Sequence, residues 1–247
     1  MKITKLVLLF NYKKILIGLF ISILSYCISD YVNSEILSKV LIIFSGLILL
    51  NIIISILASY LLYDKSDLYK LEKLPEYINL NEIKNGIFIH ASFDPISSYL
   101  EKKYPKMELI VCDIYENRHL DEKMINISKK EFPPNPKEIK INPTKLPFKD
   151  NSQEIIFAIT SLHEILEHKK RVEFFKEAKR VLKNNGILII SEQMRNGINF
   201  MSFNIGAFHF LSKNKWKLAI KESGLKIYET KNINIFAEMI IIKNNCA

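Results

Sequence analysis

"GIFIHASFDPISSYLEKKYPKMELIVCDIY", Gly86 to Tyr115, decides the fold. An apolar run of strand type is followed by a short turn, a segment of helical spacing, and a second β-branched run that ends in Asp113. Open α/β sheets bind ligands where their strands end, and an acid at the end of the second strand can accept from a pair of hydroxyls. The turn between strand and helix, His90 to Pro95, contains no glycine. Glycine at such a turn provides φ freedom and lets the backbone approach a ligand closely, and a Cβ interferes with both. Ala91 and Ser92 are the smallest substitutes. Asp94 tolerates unusual turn conformations and suits an N-cap before Pro95, which is favoured at a first helical position.

Downstream, short β-rich runs alternate with helical patterns, the signature of an α/β domain with a mostly parallel sheet. Strands are expected at Gly86 to Ala91, Glu108 to Ile114, Glu138 to Ile141, Glu154 to Thr160, Gly186 to Glu192, Lys226 to Lys231 and Ala237 to Lys243. Helices are expected at Pro95 to Tyr104, Leu120 to Lys130, His168 to Leu182 and Lys213 to Ser223. No helix separates the last two strands, so they should pair antiparallel at one edge.

The run "LPFKDNSQEIIFAITSLHEILEHKKRVEFFKEAKRVLKNNGILIISE", Leu146 to Glu192, resembles the class I S-adenosylmethionine-dependent methyltransferase family, of the methyltransferase type 11 kind. Leu146, Pro147, Phe148, Asp150 and Ser152 match its lead into strand four, and Leu162 and His163 match the following turn. Arg180, Val181, Leu182, Lys183 and Gly186 match the helix end before strand five. The resemblance covers about Asn85 to Lys243. It implies a Rossmann-like seven-stranded sheet with an antiparallel last strand and S-adenosylmethionine as cofactor. It also implies that His90, Ala91, Ser92 and Asp94 form the cofactor turn, that Asp113 and Ile114 meet the ribose side, that Asn142 and Thr144 stand near the adenine, and that Thr160, at the end of strand four, also meets the cofactor. The family's turn is glycine-rich, and its loop after strand three often carries an acid, so this chain departs from the pattern at both places.

Ahead of this domain, Ile15 to Ser29 and Val40 to Tyr63 carry no charge, and the second run is long enough to cross about 30 Å of hydrocarbon as a helix. Lys2, Lys5, Lys13 and Lys14 precede the first, as before a signal peptide, but no small-residue cleavage site follows. A transmembrane hairpin is expected within residues 1–63, with spans of about 15–29 and 40–63. A charged juxtamembrane linker, 64–84, would follow, with Pro75 ending the last helical turn, and then a cytoplasmic domain, 85–247. Lysines on both flanks set this orientation. Buried helices of a soluble core are the alternative. Neither run has an ionisable residue at its centre, so nothing suggests a transport pathway.

The formal charge of +9 is spread over lysines without an arginine-rich or aromatic-interleaved focus, so nucleic acid is not expected as a partner. Cys27, Cys112 and Cys246 lack metal or disulfide spacing, and no metal site is expected.

Methyl transfer from a sulfonium requires alignment, with a base only if the acceptor must lose a proton. The catalytic candidates are His163, Glu192 and His209. Glu192 and Arg195 could orient a substrate or pair with each other. The aromatic insertion Met194 to Trp216 suits a lid over a flat or lipid-like acceptor, or packs onto its own domain. Three functions follow: a membrane-anchored methyltransferase for a hydrophobic small molecule presented from the lipid bilayer, an inactive scaffold of the same fold, or a protein binding another nucleotide. Lack of G-x-G-x-x-G counts against the third.

Overall fold

The computed structural model describes residues 3–115 and 122–244. Two long apolar helices open the chain, α1 (Ile3–Ser29) and α2 (Glu35–Ser59), and a π-helical turn, Tyr60–Lys65, continues α2. They form an antiparallel hairpin. Gly18 lets α1 approach Ile52 and Ile48, and Ser22 Oγ meets the Ser45 carbonyl and hydroxyl, satisfying polar groups inside the pair. At the domain end, Asp64 accepts from the N–H groups of Ile3 and Thr4, which have no helical acceptor of their own. Both helices are long and apolar enough to cross a membrane, and most of their large side chains face outward.

The helix stops at Lys65, well before Pro75. A tight turn stops it: the Asp67 carboxylate accepts from the N–H groups of Glu72 and Lys73. The charged segment that follows packs onto the domain, with Leu68, Leu71, Ile78 and Leu80 buried beside Ala58 and Leu62.

The domain consists of β1 (Asn85–His90), α3 (Ser97–Lys103), β2 (Glu108–Asp113), α4 (Glu122–Glu131), β3 (Ile139–Lys140), β4 (Gln153–Ile159), α5 (His168–Val181), β5 (Leu182–Gln193), α6 (Gly197–Phe203), α7 (Lys213–Glu222), β6 (Lys226–Asn232) and β7 (Ala237–Lys243). One seven-stranded sheet has the order β3-β2-β1-β4-β5-β7-β6. The first five strands are parallel, and β7 lies antiparallel between β5 and β6, as the missing helix required. Parallel strands covered on both faces read as continuous apolar runs, and Ile155 to Ile159 of β4 are all buried. α5 and α7 cover one face, while α3 and the 64–84 segment cover the other.

Some boundaries differ from expectation. Asp94 Oδ1 accepts from the N–H groups of Ile96 and Ser97 as an N-cap does, but α3 starts only at Ser97, after the expected Pro95, because Ile96 at φ −136° is not helical. β5 begins at Leu182, so the K-N-N-G segment joins the strand. β3 shrinks to Ile139–Lys140. The expected start of the fourth helix at Leu120, and Cys246, lie outside the described residues.

Arg180 accounts for much of the Leu146 to Asp150 run. Its guanidinium donates to the carbonyls of Leu146 and Phe148 and pairs with Asp150 and Glu177, locking the lead into β4 onto α5. The Arg180 hydrogen bond holds the Glu177 carboxyl below the usual range.

Candidate functional site at the strand ends

The chain reverses its winding between β1 and β4, and the parallel strands end on one edge there, where open sheets form clefts. Ser92 adopts φ 59°, the left-handed region that favours glycine. Asp113 stabilises this conformation. Its Oδ1 accepts from Ser92 N at 2.9 Å and from Tyr115 N at 2.8 Å, and Oδ2 has no hydrogen-bond partner among the described residues. The same carboxylate therefore fixes the turn through one oxygen.

A small cleft of about 100 Å³ lies beside it, between Ile114, Pro143, Ile165 and Leu166. Asn142 Oδ1 is used within its own turn, accepting from the N–H and hydroxyl of Thr144. Ala91 packs against the core. The His90 ring is buried and stacks on Phe88, with Nε2 at 2.9 Å from Glu138 Oε2 but without hydrogen-bond alignment. Burial pushes the Glu138 carboxyl up, against the pull of His90. Thr160, also at positive φ, meets the Tyr69 hydroxyl at 2.7 Å. Tyr69 packs edge-on against Phe93 of the turn and stacks with Tyr63, whose hydroxyl accepts from Gln193 Nε2. Burial raises the Tyr69 phenol far above its ordinary value. Tyr63, Tyr69 and Gln193 were not legible as site residues. The sequence offered only tyrosines on either side of the junction between the apolar run and the charged segment.

At the ends of β4 and β5 the structure joins two candidates from different strands. β4 and β5 run in register, with Ile159 opposite Ser191, so the turn Leu162–Glu164 sits over the end of β5. Glu192, 1% exposed, spans that gap. Its Oε1 accepts from the N–H groups of Ser161 (3.1 Å), Leu162 (2.9 Å) and His163 (3.3 Å), and Oε2 stands 2.7 Å from His163 Nδ1. A carboxylate that accepts from Nδ1–H selects the tautomer with its proton there, and Nε2 lies 3.7 Å from Glu164 Oε1. This is how a carboxylate orients a histidine base.

His209 arrives from the 3-10 turn Asn204–His209. Its ring lies 4.9 Å from that of His163, and its Nε2 is 3.0 Å from Glu164 Oε1. The nearest nitrogens of the two histidines and a Glu164 oxygen fall within 4.8 Å of one another, a spacing that a cation could bridge, with His163 Nε2 at 3.7 Å from the Glu164 Oε1 that His209 also meets. Arg195 makes no pair with Glu192. It donates to the carbonyls of Phe210 (2.7 Å) and Phe208 and lies over the Phe208 ring, clamping the insertion.

A family model described as a methyltransferase domain matches residues 97–190. Among solved structures, an S-adenosylmethionine-dependent methyltransferase from Aquifex aeolicus aligns with a TM-score of 0.55 at 19% identity, covering 78% of this chain and 97% of its own. Human N-acetylserotonin methyltransferase, solved with S-adenosylmethionine, aligns at 0.51 and 11% identity over 82% of this chain and 56% of its own. An O-methyltransferase family 2 protein from Planctomyces limnophilus, solved with apigenin, aligns at 0.51 and 13% over 80% and 61%. No curated protein sequence matches the chain. Strand order, the antiparallel β7 and these likenesses give the chain the fold of the class I S-adenosylmethionine-dependent methyltransferases.

Proposed function

We propose that this chain is a membrane-anchored S-adenosylmethionine-dependent methyltransferase acting on a hydrophobic small-molecule or lipid-like acceptor, its domain on the cytoplasmic side. The observation that carries the reading is the buried Glu192 holding His163 at the strand ends, on the acceptor side of the same edge that presents Asp113. The outward-facing apolar helices support the anchor.

The residues fit the adenosine end of the cofactor. Asp113 Oδ2 is positioned to accept ribose hydroxyls, and the cleft beside Ile114 and Pro143 suits an adenine edge. When bound, S-adenosylmethionine supplies an electrophilic methyl group. The chain's own contribution is alignment and one proton. His163 Nε2 takes the proton from an acceptor hydroxyl as its oxygen attacks, and the buried Glu192 carboxylate balances the charge that develops on the ring. Phe200, Phe208 and His209 form the apolar wall around the acceptor, with Phe200 and Phe208 in edge contact.

One observation favours a second reading, a non-catalytic scaffold of the same fold. Tyr69, Phe93 and Thr160 fill the strand ends where the methionine part would lie, and the remaining cleft is smaller than the roughly 300 Å³ at which ligand pockets begin. The test is transfer of label from methyl-labelled S-adenosylmethionine into solvent-extractable lipid and phenolic acceptors by the protein in lipid nanodiscs. Label that His163→Ala abolishes without loss of cofactor binding supports the enzyme. Absence of label for every acceptor class, with the protein folded, supports the scaffold.

A further inference from the structure

The helical hairpin and the aromatic insertion touch, through polar groups in an otherwise apolar helix. Ser55 Oγ donates to the Ser202 carbonyl at 2.6 Å, Asn51 Nδ2 donates to the Met201 carbonyl at 3.3 Å, and Asn204 Nδ2 donates to Asn51 Oδ1 at 2.9 Å. These bonds pin α6 and the turn after it to the side of α2.

Helix length sets the depth of that contact. About 30 Å of hydrocarbon takes roughly 20 residues of helix, and counted from Ile36 this ends at Ser55. The same count from Ile28 back along α1 ends at Leu9. The outward-facing apolar surface agrees: Leu9 on α1 and Ile53 and Leu57 on α2 remain exposed at and past the insertion. Lys13 and Lys14 lie about one helical turn inside this end, a depth from which long basic side chains reach the headgroups.

At this level the insertion turns apolar side chains outward. Met201 is 71% exposed, Ile205 83% and Phe208 61%, and Ile198 is exposed beside them. Their neighbours take up the polar and aromatic contacts: Asn199 bonds to backbone, Phe203 packs on Phe210 and Phe236, and His209 turns toward His163. A contiguous apolar patch on a soluble surface marks an interaction site, and its continuity with the apolar hairpin identifies the occupant.

We infer that residues Gly197 to His209 are seated in the bilayer leaflet facing the domain, so that the insertion opens the His163 site directly to that leaflet. The acceptor then enters sideways from among the acyl chains, past Phe208 and His209, without crossing water. This inference rests on the anchor reading and specifies which part of the domain meets lipid.

The test uses the full chain in nanodiscs. In a C27S/C246S background, which leaves only the buried Cys112, single cysteines I205C and, as a reference inside the hairpin, I43C are labelled with a polarity-sensitive fluorophore. Quenching is read from lipids carrying a nitroxide near the glycerol or near the chain end. The inference expects blue-shifted I205C emission that loses most of its intensity to the near-glycerol quencher, with I43C quenched by the deeper one. I43C quenched while I205C emits as in water, unquenched, overturns the insertion and leaves the anchor standing. Neither label quenched overturns the anchor and the inference together.

Discussion

Replacing Glu192 by alanine removes the acceptor of three backbone N–H groups, those of Ser161, Leu162 and His163, together with the partner of His163 Nδ1. Ser161 and Leu162 are fully buried. Each buried donor left without a partner costs about 1–3 kcal/mol, and water entering the vacated volume can recover some of this. A net cost of about 3 kcal/mol is therefore expected, which for a domain of this size lowers Tm by roughly 6–12 °C. Glu192→Gln separates structure from chemistry. Its amide oxygen still accepts from the backbone, so stability falls by only about 1 kcal/mol, as for a weakened hydrogen bond. Its NH₂ group facing Nδ1 reverses the tautomer and moves the proton to Nε2, and the neutral side chain no longer balances a charged ring. Methyl transfer to a hydroxyl acceptor should fall by about 10²–10⁴, the range of general-base catalysis. Thermal unfolding followed by near-ultraviolet circular dichroism in detergent reads the first effect, and initial rates in nanodiscs read the second. Glu192→Ala melting with the wild type would refute the bridging role, and an unchanged rate for Glu192→Gln would refute His163 as base.

Ser92→Gly should stabilise the protein and tighten cofactor binding. Relief of the left-handed conformation at φ 59° gains about 1–2 kcal/mol, and the extra freedom of glycine in the unfolded chain takes back about 0.5–1. A lower Tm with weaker binding would show that the Ser92 side chain is required. Arg180→Leu should cost about 2 kcal/mol at neutral pH, since it frees two carbonyls and breaks two ion pairs, discounted because the guanidinium is one-third exposed. Because Arg180 depresses the Glu177 carboxyl, the unfolded chain binds the proton more readily. The stability from this pair is complete above the unfolded value near about 4.3 and is lost as pH falls through the folded value. Denaturant titrations across the acid range should therefore show a shallower acid limb in Arg180→Leu, and parallel limbs would contradict the assignment.

The stretch from Gly86 to Tyr115 was legible because short continuous apolar runs, a helical interval and a terminal acid leave few alternatives, and the antiparallel pairing of β6 and β7 followed from the missing helix between them. The candidate site was legible residue by residue but not as a constellation. His163 and Glu192 were each singled out, yet their contact depends on the register between β4 and β5, which no local pattern encodes. Arg195 was expected near Glu192, whereas the return of the insertion at Leu211 offers it two backbone carbonyls first. Tyr69 was hidden for another reason. Charged neighbours made 64–84 read as solvated, while its apolar residues at irregular spacing seal one face of the sheet.

The most direct measurement is a calorimetric titration of S-adenosylmethionine and its demethylated product into the detergent-purified protein, with Asp113→Asn as control. Asparagine keeps the oxygen that accepts from Ser92 and Tyr115 while removing the negative charge of the proposed ribose acceptor. Saturable binding of both compounds, weakened at least about tenfold in Asp113→Asn, corresponding to the 1.5–3 kcal/mol of a charge-assisted hydrogen bond, is the result expected of a working cofactor turn without glycine. Absence of binding to folded wild-type protein would contradict it and leave the fold a scaffold.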